Sequence, residues 1–526
     1  MEEKVWDYIV IGSGFGGSVS ALRLAEKGYS VLVLEEGRRF AKEDFPETNW
    51  NIFKYFWMPK LGMTGIQRMT LINDVLILSG AGVGGGSLGY ANTLYEIPDE
   101  VYDRKGWPNG IDWRAVLKPR YAEAKRMLGA VPNTTMTPCD EALKSVAKDM
   151  GRENTFRFTD VAVFFGEPDK KVPDPFFGGQ GPERTGCTQC GGCMVGCKVG
   201  AKNTLDLNYL YLAEKLGVEV KSEHRVTKLT SREGDGYCVN TVSGTNFVFK
   251  RPERFQSRKV VVAAGALGTM KLLMRDKREG RLPNLSNSLG NKVRTNSEAL
   301  LGVTAKKAMI DYSHGIAITS SIYPDEHTHI EPVRYKKGSS LMGLLATNLT
   351  DGGGKLPRWM KWLGSVFRNP LSFFRVWFGG KWAQRSFLLL VMQTIDSSFK
   401  IRLGQWRLRS ESAPGETPVP TYIPVANEVA RKLAEKIGGI PQSSVTEAIF
   451  NISMTGHILG GCKMGNDPSE AVVNAKCEAF GYEGLYIIDG SVVPVNLGVN
   501  PALTITALAE YAMGHIPANP LLRESM

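Results

Sequence analysis

Long apolar runs are missing from this chain. Nowhere do about 18 apolar residues follow one another, so no membrane-spanning helix is expected. Fixed-period repeats and low-complexity tracts are missing too, which excludes solenoids and propellers. The opening residues, Met1 to Val10, hold no basic region followed by an apolar stretch, and no secretory signal is expected. Histidine is scarce, six in 526 residues, so one in a distinctive setting stands out. Cysteine is nearly as scarce, eight in all, and four of these crowd between Cys187 and Cys197. A secreted scaffold spreads its cysteines, whereas a cluster inside a large chain points to metal or redox work in a reducing compartment. The expected location is therefore cytoplasmic, with peripheral contact at the inner membrane face left open. Positive charge is in surplus, +11 net, which suits either nucleic acid or an anionic surface. The length exceeds one simple core and points to two closely joined domains.

The N-terminal residues carry a compact motif. Asp7-Tyr-Ile-Val-Ile-Gly12 reads as a buried parallel strand. Gly12, Gly14 and Gly17 follow in G-x-G-x-x-G spacing, then an amphipathic helix with Ala21, Leu22, Leu24 and Ala25 on one face. A second apolar strand, Val31 to Leu34, ends at Glu35. Gly12 permits the tight turn, Gly14 lets backbone approach a pyrophosphate, and Gly17 packs helix on strand. The helix N-terminus offers partial positive charge, and Glu35 can accept from ribose hydroxyls. A lone glycine triplet is a weak signal. Strand, turn, helix, strand and acid in register make a dinucleotide site, without separating FAD from NAD(P).

Three more segments separate them. Gly80-Ala-Gly-Val-Gly84-Gly85-Gly86-Ser87-Leu-Gly-Tyr-Ala-Asn92 is dense enough in glycine for backbone N–H groups to reach a planar or anionic ligand. Lys259 to Leu273 reads as a buried strand, a glycine turn and a helix start. Leu485-Tyr-Ile-Ile-Asp489-Gly490 leads into Gly498-Val-Asn500-Pro. Together these segments resemble the hallmark motifs of the glucose–methanol–choline oxidoreductases, in that family's order. Its bacterial cholesterol oxidase branch is nearest, through His457-Ile-Leu-Gly-Gly and Gly498-Val-Asn500-Pro. The resemblance implies an α/β fold: a Rossmann-type FAD-binding domain with a second, α+β substrate-binding cap domain. It implies FAD bound in extended form, with Gly12, Gly14 and Gly17 on the pyrophosphate and Glu35 on the adenosine ribose. Val83 to Asn92, including Gly84, Gly85, Gly86 and Ser87, would lie along the flavin. Asp489 and Gly490 would close the nucleotide site. The FAD domain is expected from residues 1–110, 200–297 and 455–526, and the cap from 111–199 and 298–454.

The implied activity is oxidation of a hydrophobic alcohol, sterol-like or long-chain, by hydride transfer to the flavin. Such chemistry also needs the hydroxyl proton removed, a task for a histidine near its operating pH. Among the six histidines, His457 alone has a recognisable setting, where the resemblance places the active-site histidine. Asn500, with donor and acceptor atoms, matches the asparagine that polarises substrate and flavin in the sterol branch. Some sterol oxidases add a glutamate base for double-bond isomerisation; Glu298 and Glu331 are the candidates here. Oxygen, a quinone or a redox protein could accept the electrons.

Cys187, Cys190, Cys193 and Cys197 follow C-x2-C-x2-C-x3-C, the bacterial ferredoxin spacing. A 4Fe–4S ligand set is favoured, structural thiols are the main alternative, and zinc is the least attractive because it usually pairs two separated arms. Lys198 stands where that spacing usually continues with proline. From Lys355 to Arg385 the chain bears seven positive charges, no acid and interleaved Trp and Phe. That composition suits peripheral membrane contact, or a charged face over an aromatic core. Nothing else resembles a nucleic-acid module, so no nucleic acid is expected as partner. A different class of reading remains: a flavoprotein docked to a membrane that relays electrons to a partner without alcohol chemistry of its own.

Overall fold

The computed structural model describes residues 4–520 apart from 233, 235, 247–249 and 406. Its first sheet is built from the apolar runs noted above. Strands Val5–Ile11 and Val31–Leu34 pair in parallel, and Glu219–Lys221 extends them at one edge. On the other side of Val5–Ile11 lies the long strand Glu253–Val262, also parallel to it. The far edge of that long strand is shared. Its first half pairs antiparallel with Tyr237–Ser243, which continues to His224–Ser231. Its last three residues pair in parallel with Leu485–Ile487, so the C-terminal part of the chain completes the sheet beside the nucleotide turn.

Tyr8, Ile9, Val10, Val31–Leu34 and Val260–Val262 are essentially fully buried, because helices cover the sheet. Helix Phe15–Glu26 packs on Ala502–Gly514, Tyr209–Lys215 and the N-terminal sheet. Arg23 on that helix donates to Glu510 on the C-terminal helix and to Glu123 on Trp113–Leu128. Trp113–Leu128 itself buries Trp113, Leu117, Tyr121 and Met127 in this same core. The expected division gave residues 111–199 to the cap. This helix instead packs with the nucleotide-binding unit, because its apolar face meets the C-terminal helix.

The second sheet is antiparallel, in the order Thr328–Val333, Ser386–Gln393, Ala299–Ala305, Gly439–Ser444 and Ala346–Asn348. Helices Pro138–Asp149 and Pro424–Lys436 cover one face, over Leu301, Val303, Ile330, Leu389 and Val391. Over its other face lie Met342, Val376, Trp382 and Ala383. The basic aromatic segment forms helices Arg358–Arg368 and Pro370–Phe378, separated by Asn369, with Pro370 opening the second. The whole is an α/β chain with a Rossmann-type unit and a second α+β unit. Among the described residues no helix is long and apolar enough to cross a membrane.

A small third sheet matters most for chemistry. Hairpin Gln67–Ile72 and Val75–Gly80 is joined by Ser453–Thr455, which runs parallel to Val75–Gly80. Parallel strands leave a sheet at the same end. The glycine run after Gly80 and the turn bearing His457 therefore emerge together.

Candidate active site

The nucleotide turn is tight everywhere except where a ligand would need room. Gly12 has φ of +99°, and a Cβ there would lie 2.3 Å from the Ala263 carbonyl oxygen; one on Gly17 would lie 2.1 Å from the Gly12 carbonyl oxygen. At Gly14 nothing stands within 4 Å of a Cβ position. Gly14 also caps helix Phe15–Glu26, whose first turn has no acid and no side-chain cap. Free N–H groups and the helix dipole are thus left for an anion. The second glycine run presses on this turn: a Cβ at Gly85 would lie 2.6 Å from Gly14 Cα. Gly84 and Gly86 flank that contact. These residues fit an extended dinucleotide.

The polar residues around the cradle are more committed than their sequence suggests. Glu35 is buried, and its two carboxylate oxygens accept from Ser13 N–H (3.1 Å), Ser13 Oγ (2.7 Å), Gly37 N–H (2.9 Å) and Gly82 N–H (3.3 Å). Four donors fill a carboxylate's usual capacity, so a ribose hydroxyl would have to displace one. Burial pushes the Glu35 carboxyl above its ordinary pKa. Ser87 Oγ donates to the Gly84 carbonyl at 2.7 Å and accepts from Leu205 N–H at 3.0 Å, so it shapes the glycine run. Asn92 is fully buried at φ +71°, and its side-chain amide faces the Cys193 thiol. Asp489 accepts from Thr269 Oγ1 (2.6 Å) and Ser491 N–H (2.8 Å), bracing the helix after Ala263. The Gly490 carbonyl accepts from Gly460 N–H at 3.0 Å and so ties the His457 turn to this segment.

His457 and Asn500 each have a carboxylate partner. Nδ1 of His457 is hydrogen-bonded to Glu298 Oε1, and Glu298 Oε2 accepts from Gly456 N–H at 2.9 Å. Glu298 is 1 % exposed and His457 17 %, so the carboxylate is shielded from water while the imidazole keeps an open edge. Nε2 of His457 has no partner among the described residues. Asn500 Nδ2 donates to Glu331 Oε2 at 3.2 Å, while Asn500 Oδ1 and Glu331 Oε1 are buried without partners among the described residues. Burial pushes the Glu331 carboxyl up to about 8; the Asn500 hydrogen bond opposes the rise and the Glu298 charge adds to it. Two residues away on the same strand, His329 is buried against Tyr323 and Tyr95, and burial holds it well below the usual histidine pKa.

Sequence reasoning missed Lys202. This buried side chain donates to the Leu88, Tyr90 and Cys193 carbonyls at 2.9–3.0 Å, bridging the glycine run and the cysteine loop. Burial lowers its pKa to about 8. It sits in a loop, where no periodicity marks it. Ser13, at a variable position of the glycine motif, carried no signal either.

The cysteine loop gives the metal expectation no support. Among the described residues no group of three or more His, Cys, Asp or Glu is arranged to hold a metal ion. Tertiary contacts pin the loop. Gly191 N–H bonds to the Gly315 carbonyl and Gly315 N–H to the Gln189 carbonyl, both at 2.7 Å. That pairing fixes the loop with Cys190 exposed, while Cys187 and Cys193 turn inward. Burial, then the neighbouring Cys193, raises the Cys187 thiol to about 12. In the basic aromatic segment, Trp362 and Trp377 are anchors: their indoles donate to Thr347 Oγ1 and the Ala346 carbonyl, each at 2.7 Å.

Known proteins match this chain along nearly its whole length. Residues 182–278 and 421–509 match GMC oxidoreductase family models, and residues 10–43 match an NAD(P)-binding Rossmann-like domain. A cholesterol oxidase of Acinetobacter baumannii is 44% identical over 99% of this chain and 96% of its own length. A cholesterol oxidase of Mycobacterium tuberculosis is 46% identical over 96% of this chain and 90% of its own. A long-chain-alcohol oxidase of Arabidopsis thaliana is 23% identical over 96% of this chain and 66% of its own. Among solved structures, pyridoxine 4-oxidase from Mesorbium loti shares the fold, with a TM-score of 0.62 at 16% identity over 97% of this chain and 99% of that one. The chain belongs to the GMC oxidoreductase family, in its cholesterol-oxidase-like branch, and is an FAD-dependent oxidoreductase acting on CH–OH groups.

Proposed function

We propose that the chain oxidises a hydrophobic, sterol-like alcohol to its carbonyl. The observation that carries this reading is the double pairing of His457 with Glu298 and Asn500 with Glu331. When bound, FAD accepts the hydride. The chain's own residues do the rest. Gly12, Gly14 and Gly17 with Gly84–Gly86 hold the dinucleotide, and Asp489, Gly490 and Asn92 frame it. His457 takes the hydroxyl proton on Nε2, the ring nitrogen left without a partner among the described residues. Asn500 orients the substrate oxygen through its amide.

Beside the paired residues lies an apolar cluster. Leu300, Met342, Leu345, Ala346, Leu388 and Met454 surround a cavity of about 10 Å³, which would have to widen to admit a sterol. Leu300 lies two residues after Glu298, and Met454 three before His457. Outside, Phe367 (76 % exposed), Leu371 (68 %) and Phe378 (71 %) stand among Lys361, Arg368 and Arg375. An apolar surface with basic neighbours suits collection of a greasy substrate from an anionic lipid layer. The oxidase names of the relatives support oxygen as the electron acceptor. No observation favours electron relay without alcohol chemistry.

Of the two candidates for an isomerisation base, Glu331 has the unpartnered oxygen, whereas both oxygens of Glu298 are engaged. Glu331 must first lose its proton, so any isomerised product should increase as pH rises toward 8. A kinetic panel tests the main reading: kcat/KM should rise steeply from ethanol through long-chain alcohols to sterols. A flat or reversed ranking would contradict it.

A further inference from the structure

The turn that delivers Glu298 is strained, and the strain is held from several sides. Asn296 (φ +63°) and Ser297 (φ +48°) are consecutive non-glycine residues in the left-handed region, both fully buried. Such conformations persist only where the surroundings over-determine them, and they cluster at functional sites. Here the surroundings are explicit. The Asn296 side chain donates to the Val499 carbonyl (2.9 Å) and accepts from Gly498 N–H (2.7 Å). Ser297 Oγ meets the Ile395 carbonyl and Ser397 Oγ, each at 2.8 Å, and Asn496 Nδ2 at 3.2 Å. One strained turn thus fixes Glu298 against His457 and, through Asn296, clamps the Gly498–Asn500 turn. The histidine side is held as firmly. Thr455 Oγ1 donates to the Thr295 carbonyl at 3.0 Å and accepts His457 N–H at 2.9 Å.

We infer that Glu298 is the positioning residue of the alcohol oxidation, fixing the proton of His457 on Nδ1 so that Nε2 is free to act as base. The inference rests on the proposed role of His457. Glu298 Oε2 is committed to Gly456 N–H, which leaves Oε1 for the imidazole. An anionic carboxylate accepts and does not donate, so the shared proton belongs on Nδ1. When the alcohol O–H proton moves to Nε2, the ring becomes an imidazolium. With FAD bound, the hydride released from the alcohol carbon would have its acceptor and the C=O bond would form. The Glu298 charge stabilises the cation so produced.

Glu298→Gln keeps the volume and alters the logic. Its amide oxygen can satisfy Gly456 N–H, and its NH2 then faces Nδ1. The ring proton should move to Nε2, removing the base. Turnover should fall by about 10²–10⁴, the range of a positioned acid–base group. Nitrogen-15 NMR of His457 should report the Nδ1–H tautomer in the wild type and Nε2–H in the variant. In Glu298→Ala, added formate should restore part of the activity. Without formate, the acid limb of the kcat/KM profile should lie at lower pH than in the wild type, because loss of the carboxylate disfavours the imidazolium. An unchanged tautomer in Glu298→Gln with an unmoved acid limb in Glu298→Ala would overturn the inference. Unchanged turnover in His457→Ala would overturn the histidine's role itself, a distinguishable failure.

Discussion

Replacing Glu331 by Gln removes a proton-binding site while keeping its volume and its contact with Asn500. In the fold the Glu331 carboxyl is raised from 4.5 to about 8, chiefly by burial. A tenfold change in proton affinity is worth about 1.4 kcal/mol, so the rise amounts to about 5 kcal/mol. Between pH 4.5 and 8 the folded protein keeps a proton that the unfolded chain has released. Wild-type stability therefore falls as pH rises through this window. Glu331→Gln does not titrate, so it should gain on the wild type steadily from pH 4.5 and level off above pH 8. Thermal midpoints of the FAD-saturated proteins, measured from about pH 4 to 9, test the trend. Infrared spectra test the proton itself: at about pH 7 roughly nine molecules in ten should show a protonated carboxyl band that Glu331→Gln lacks. Parallel stability curves, or no such band at neutral pH, would refute the account of this buried acid.

The other expectations are more local. His457→Ala should keep its flavin absorbance and lose about 10²–10⁴ in turnover; full activity would remove the imidazole from the chemistry. A thiol reagent should modify Cys190 first in the native protein, since it is the exposed member of its loop, and Cys190→Ser should lack that fast phase. About four irons per chain after anaerobic purification would show instead that the loop rearranges around a cluster. Changing Phe367, Leu371 and Phe378 together to Ser should weaken binding to anionic vesicles while leaving turnover on a water-soluble alcohol intact; equal vesicle binding would exclude this face.

Legibility in the sequence followed distance along the chain. Gly12, Gly14, Gly17 and the strand ending at Leu34 lie within about thirty residues, where local rules decide the turn and the helix start. The Glu298–His457 bond spans 159 positions and the Glu331–Asn500 bond 169. Neither periodicity nor spacing pairs such residues, so the two glutamates could be named without their roles being separated. Cysteine spacing says little for the opposite reason. It describes one dimension, while the Gly191–Gly315 pairing faces Cys190 outward. Trp362 and Trp377 look like membrane aromatics by composition, yet their indole N–H groups are taken by the edge strand Ala346–Asn348. The pattern of Trp113–Leu128 shows an apolar face without saying which core receives it.

Anaerobic mixing of the FAD-loaded protein with a sterol tests the central claim most directly. The flavin should bleach in a single turnover with one ketone formed per flavin, and His457→Ala should bleach far more slowly under the same conditions. A flavin that stays oxidised against sterols and long-chain alcohols alike, in a protein that has bound FAD fully, would contradict it.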